Sequence, residues 1–241
     1  MIELKNICFS YKDVTALKNI NLKIEKGESV ALIGPNGCGK STLLKLLSGI
    51  IFKSEGQFFF NGTLIDEKRM QDGVFSKTFH KNIGFLFQNP QLQLFCPTVY
   101  DEVSFGPYQM GFSKDEVQKR VFDCLNLLGI WDLRDRAPYN LSGGEMKKTA
   151  LAAVLSVNPQ VILLDEPMNG LDPKNKKFLG ELLLRLSESG KTIICATHDF
   201  DYVKGLFKRA IVFSKEHTII EDAPFESVVN NKELLERNNI I

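Results

Sequence analysis

From Ile2 to about Ile24 apolar and polar residues alternate, with a break near Lys12-Asp13. Period-two alternation marks strands that cover one face and wet the other. Glu25-Lys26-Gly27-Glu28 reads as a hairpin turn into a short apolar strand, Ser29-Val30-Ala31-Leu32-Ile33. Gln57-Phe58-Phe59-Phe60 followed by Asn61-Gly62 predicts another strand and a tight turn. These pieces predict a small antiparallel sheet. Three later runs have a different pattern: Ile83-Gly84-Phe85-Leu86-Phe87, Val161-Ile162-Leu163-Leu164 and Thr192-Ile193-Ile194-Cys195-Ala196 are continuously apolar. Such runs belong to strands buried on both faces of a parallel sheet. Helical patterns lie between them, so the fold class is α/β.

The span from about 95 to 157 carries helical spacing instead. Val117, Val121, Leu125 and Leu128 share one face of a helix over Glu116 to Leu128, which Gly129 is placed to stop. Gly143 to Leu155 reads as a second helix. The expected organisation is therefore one domain. About residues 1–94 and 158–241 form an α/β core with its small β subdomain, and about 95–157 form a helical subdomain inserted between two core strands. Lys176 to Leu186 is a further helix whose Leu179, Leu182, Leu183 and Leu186 face inward, and Pro224 to Ile241 reads as helical turns with a frayed end. The run Thr192–Ala196 is taken as the last strand of the core.

Composition narrows the class. Of 241 residues 44% are hydrophobic, enough for a substantial core, and the net charge is +1, which advertises no polyanion-binding surface. The five cysteines (Cys8, Cys38, Cys96, Cys124, Cys195) form no C-x-x-C pair, which argues against zinc and a disulfide framework and for a reducing setting. The chain opens on a strand pattern rather than a signal peptide, and no apolar run reaches the roughly 20 residues that cross a bilayer. A membrane role would have to come through a partner.

Chemistry enters at Gly34-Pro35-Asn36-Gly37-Cys38-Gly39-Lys40-Ser41, followed by Thr42. The spacing is G-x-x-x-x-G-K-S, between an apolar strand and an amphipathic helix, the context a phosphate-cradling P-loop requires. Glycines let the backbone approach an anion closely, and the amides and helix N-terminus supply partial positive charge. Lys40 is placed to reach outer phosphates and Ser41 to offer its hydroxyl to Mg²⁺. Asp165 and Glu166 end the Val161–Leu164 strand at the carboxyl edge, where ligands of parallel sheets bind. Asp165 suits the magnesium ion. Glu166, one residue on and pointing to the other side of the strand, suits the general base that polarises water against a γ-phosphate.

Leu141-Ser142-Gly143-Gly144-Glu145 opens a helix about twenty residues before Asp165. Bare amides at a helix N-terminus make Ser142, Gly143 and Gly144 a second anion site. The ordered set of P-loop, this signature and the acid pair resembles the nucleotide-binding subunit of ABC transporters, over nearly the whole chain. The resemblance implies an ATPase that uses ATP and Mg²⁺. It works as a head-to-tail dimer, with itself or with a paralogous ATPase, in which each signature, Glu145 included, closes on ATP held by the other subunit's P-loop. Family members usually carry glutamine where this chain has Glu145. The resemblance also implies that Tyr11 stacks on adenine, that Gln88 meets Mg²⁺ and the attacking water, that Asp172 reaches the nucleotide from a loop crossing to the partner, and that His198 contacts the γ-phosphate. In that loop Asn169 replaces the family's usual small residue. The run from Phe87-Gln88-Asn89-Pro90 through Leu92, Leu94 and Phe95 to Asp101-Glu102-Val103-Ser104-Phe105-Gly106-Pro107 is similar to the energy-coupling ATPases of cobalt, nickel and vitamin importers. That likeness implies a transmembrane subunit and a substrate-capturing subunit as partners, at the cytoplasmic face of the cell membrane, with no direct span and no nucleic acid. A soluble ABC ATPase with no transport role is the alternative. Cys38 reads first as a small residue at a variable position; Lys40 and the helix N-terminus beside it both lower a thiol pKa, and the second reading is an alkylatable thiol shielded by ATP.

Overall fold

A computed structural model describes residues 1–240. Two sheets organise it. Strands β1 (Ile2–Tyr11), β2 (Val14–Ile24), β4 (Glu55–Phe60) and β5 (Thr63–Ile65) form an antiparallel sheet in the order β2-β1-β4-β5. Asn61 and Gly62, both with positive φ, make the β4–β5 turn, as the Asn-Gly pair requires. The second sheet has the order β10-β9-β3-β8-β7-β6, from β3 (Ser29–Ile33), β6 (Ile83–Leu86), β7 (Val161–Asp165), β8 (Thr192–Ala196), β9 (Arg209–Phe213) and β10 (Ile219–Pro224). Its pairs are parallel except β9–β10.

The continuous apolar strands are buried on both faces for a visible reason. Val30 and Leu32 of β3 pack with Leu43, Leu44 and Leu47 of helix α1 (Lys40–Leu47) and with Ile2, Leu4 and Phe58 of the antiparallel sheet. Ala31 and Ile33, on the opposite face, pack into a core with Val103, Val121, Leu151 and Leu183. Helix α1 is thus held between the two sheets, and helices between residues 99 and 188 cover the far side.

Between β5 and β6 lie α2 (Glu67–Met70) and α3 (Gly73–Asn82), begun by the side-chain caps Asp66 and Asp72. Between β6 and β7 lie α4 (Val99–Gln109), α5 (Lys114–Leu127) and α6 (Gly143–Ser156). Helix α7 (Pro173–Glu188) precedes β8, and α8 (Phe225–Val229) and α9 (Lys232–Arg237) end the described chain. The fraying expected at Ile241 lies outside the described residues. Among the described residues no helix is long and apolar enough to cross a membrane.

Two expectations are corrected. Glu25 to Glu28 is a turn, closed by Glu28 N–H on Glu25 O at 3.3 Å, but not a hairpin, because β2 and β3 belong to different sheets. The strand Thr192–Ala196 is not the last of the core: β9 pairs β3 on its other edge, and Arg209 at its start bonds Asp222 of β10 and Glu28 beside β3. Helix α4 occupies the run read for its importer likeness. Its inner face includes Glu102 and Ser104, and these polar residues mask the apolar period.

Candidate functional site

The P-loop runs from the end of β3 to the start of α1. Gly39 caps α1 with φ 110°, and a side chain there would collide with Ala16 O of β2, so only glycine fits. Gly34 is hemmed in the same way by Cys38 Sγ and Phe213 O. The loop therefore wraps tightly along one side of a cavity of about 370 Å³. Asn36, Gly37, Cys38, Gly39, Lys40, Ser41 and Thr42 line it on one side and Gln88, Asp165, Glu166, Asn169 and His198 on the other.

Each opposing group is placed by an identifiable element. Ser41 Oγ donates to Asp165 Oδ1 at 3.0 Å, joining the P-loop helix to the end of β7. Gln88 follows β6, whose end is braced by Gln93: its Oε1 accepts Phe87 N–H at 3.1 Å and its Nε2 donates to Phe85 O at 3.1 Å. Lys40 Nζ donates to Gly34 O and Pro35 O at 2.6 and 3.0 Å, spanning the loop that it follows.

Glu166 does not point to the far side of the strand, as strict alternation predicts; it lines the same cavity as Asp165. Strand β7 ends at Asp165, and Glu166 takes φ 47°, a left-handed conformation that costs a glutamate about 1–3 kcal/mol. Three bonds hold it there: Glu166 N–H donates to Ala196 O at 2.9 Å, and Glu166 O accepts Asn169 N–H at 3.2 Å and Lys147 Nζ at 3.4 Å. Its Oε2 lies 2.8 Å from His198 Nδ1. Burial pushes the carboxyls of both Asp165 and Glu166 above the ordinary range; the Ser41 hydroxyl opposes this at Asp165, and His198 opposes it at Glu166. Asp199, next to His198, is ion-paired through Oδ1 with Lys176 of α7 at 2.5 Å.

Cys38 departs from the activated-thiol reading. It is 1% exposed, and burial pushes its thiol pKa up, outweighing the nearby Lys40 ammonium. Tyr11, beside the turn that joins β1 to β2, stands outside the cavity lining with Phe9 against it edge-on at 4.8 Å. The signature residues Ser142, Gly143, Gly144 and Glu145 also lie outside it, with Ser142 and Gly143 exposed. Glu145 caps its own helix: its Oε2 accepts Ser142 N–H at 2.8 Å and the Ser142 hydroxyl at 2.7 Å, a capping box that starts α6. Asp172 is committed likewise, capping α7 through the backbone and side chain of Asn175 at 2.9 and 2.6 Å.

Two contributors escaped the sequence reading. Asn169, noted only as a departure, lines the cavity. Lys147 is 4% exposed and donates to Asn169 O at 2.9 Å as well as to Glu166 O. The available signal was its place on the α6 face that also buries Ala150, Leu151 and Val154.

The donor set fits a magnesium ion. The Ser41 hydroxyl, Asp165 carboxylate and Gln88 amide are hard oxygen ligands around one cavity. Among the described residues no cluster of three or more His, Cys, Asp or Glu side chains could hold a metal ion, so the remaining ligands would be phosphate and water oxygens.

Residues 17–169 match the family model described as ABC transporter. A putative ABC transporter ATP-binding protein of Clostridium acetobutylicum is 55% identical over the full length of both chains. The nickel import ATP-binding protein LarO of Lactiplantibacillus plantarum is 45% identical over 92% of each chain. The energy-coupling factor transporter ATP-binding protein EcfA of Methanothermobacter thermautotrophicus is 40% identical over all of this chain and 76% of its own length. Among solved structures, a dimeric ATP-binding cassette in a post-hydrolysis state with ADP and phosphate superposes with a TM-score of 0.84 at 30% identity, covering 93% of this chain and 98% of that one.

Proposed function

The chain belongs to the ABC transporter family as an ATP-hydrolysing subunit, and on that premise we propose that it drives an energy-coupling-factor-type importer of transition-metal ions such as nickel or cobalt, or of vitamins, from the cytoplasmic face of the membrane. The observation that carries the mechanism is the split of the site. The P-loop, Gln88, Asp165, Glu166 and His198 share one cavity, while the exposed residues Ser142 and Gly143 at the start of α6 stand outside it. One chain has no use for two γ-phosphate cradles that do not face each other. Two copies, or this chain and a paralogue, arranged head to tail, complete each other with ATP between them.

In that arrangement the P-loop amides and Lys40 bind the phosphates, Tyr11 stacks on adenine, and the Ser142 helix N-terminus closes on the γ-phosphate. Magnesium held by Ser41, Gln88 and Asp165 would neutralise phosphate charge. Glu166 accepts a proton from the attacking water and His198, 2.8 Å away, orients it. Loss of the γ-phosphate removes the link between the halves, and the pair reopens.

The coupling surface follows from exposed apolar groups beyond Gln88. Leu92 is 77% exposed and Phe95 68%, with the Phe105 ring 5.0 Å from that of Phe95. We assign this patch to a helix of the transmembrane subunit. The pairing test is Glu166→Gln, which is expected to bind ATP, lose hydrolysis and run as a dimer in size-exclusion chromatography. A variant that stays monomeric with ATP overturns the pairing.

A further inference from the structure

Lys147 is the side chain through which the signature helix and the catalytic turn of one chain meet. It lies on α6 five residues beyond Ser142, about 7.5 Å along the helix axis. Its ammonium donates to Asn169 O at 2.9 Å and Glu166 O at 3.4 Å. Among the described residues these are the only hydrogen bonds from α6 to the turn running from Glu166 to Asp172. The contact is close elsewhere too: a Cβ built on Gly144 would touch Leu171 and Asn175 at 3.7 and 3.6 Å.

A buried ammonium is costly unless its donors are matched. Two of the three Lys147 donors meet main-chain carbonyls, and although burial pulls its pKa down, Glu166, Asp165 and Asp199 oppose that by attraction. One of those carbonyls belongs to the residue held at φ 47°. Lys147 therefore stabilises the backbone turn that aims the Glu166 carboxylate into the cavity.

Resting on the paired reading above, we propose that Lys147 is a positioning residue that makes hydrolysis at one ATP depend on closure at the other. In a head-to-tail pair the signature of a chain grips ATP on its partner's P-loop, whereas its Glu166 serves its own P-loop. A rigid helix with Ser142 at its end and Lys147 one and a half turns on joins those two events within one chain. A shift of α6 on closure is delivered to the Glu166 and Asn169 carbonyls, and so to the base.

The test is Lys147→Met, with Lys147→Gln as a second variant, each made in the parent chain and in the Glu166→Gln chain. In the Glu166→Gln background both should still dimerise with ATP. In the parent background kcat should fall on the order of 10- to 100-fold, the cost of a slightly misaimed catalytic group, with KM within about twofold. The Hill coefficient for ATP should fall from about two to about one. A parental kcat and Hill coefficient, with dimerisation intact, overturns this role alone. A kcat loss matched by lost ATP-driven dimerisation in both variants overturns it as well, because Lys147 would then only support α6. Failure of Glu166→Gln itself to dimerise overturns the paired reading and this inference with it.

Discussion

Glu166 Oε2 lies 2.8 Å from His198 Nδ1, across the cavity mouth from the P-loop. The carboxylate comes from the turn after β7 and the imidazole from the turn after β8, two strands that are neighbours in the sheet. Burial raises the Glu166 pKa above the ordinary glutamate range, and the His198 contact pulls it back down. A general base works only when ionised. The acid limb of the ATPase profile should therefore fall at higher pH than an ordinary glutamate dictates. His198→Ala removes the opposing influence, so its residual activity should show that limb moved further up in pH. A limb that stays in place or moves down contradicts the assignment.

Lys40 spans its own loop by bonding Gly34 O and Pro35 O. Lys40→Ala loses a charge-assisted phosphate contact, an effect of about 1.5–3 kcal/mol or roughly 10- to 150-fold in affinity. Calorimetric titration with ATP reads this directly, and a binding constant equal to the parent's rejects the role.

Cys38 is the P-loop side chain for which burial matters most. With 1% exposure and a thiol pKa pushed up by desolvation, it should resist maleimide at neutral pH with or without nucleotide, and react on unfolding. Rapid labelling of the native chain, counted by intact mass, would show the loop to be open.

Glu102 is buried on α4, and its Oε2 accepts the N–H groups of Phe95 and Cys96 at 2.8 and 2.7 Å. Glu102→Ala strands both amides, a loss of about 1–3 kcal/mol visible in chemical denaturation. The isolated subunit should keep its ATPase rate while binding of the membrane subunit weakens, because the exposed Phe95 is no longer fixed. Parental stability together with parental subunit capture would refute the link.

The parts of this protein that were legible without a structure are those written in one stretch. The P-loop shows all its residues in sequence between a strand and a helix. The buried strands announce themselves by unbroken apolar runs, and the α5 stop at Gly129 by its residue type. Strand β9 is as apolar over Ala210 to Phe213, but its place in the core comes from its pairing with β3.

Groups whose partners lie far along the chain were decided by tertiary structure alone. Ser41 and Asp165 meet across 124 positions. Periodicity turned Glu166 outward, and only its left-handed backbone, held by Lys147 and Ala196, returned it to the cavity. Local charge predicted an activated Cys38, but desolvation by the packed loop prevails. Glu145 and Asp172 carry acids that the family resemblance assigns to the nucleotide, and each also caps the helix it starts. Spacing along the chain specifies backbone form, because that depends on neighbours; pKa, side-chain aim and burial depend on what the fold brings alongside, which no single stretch encodes.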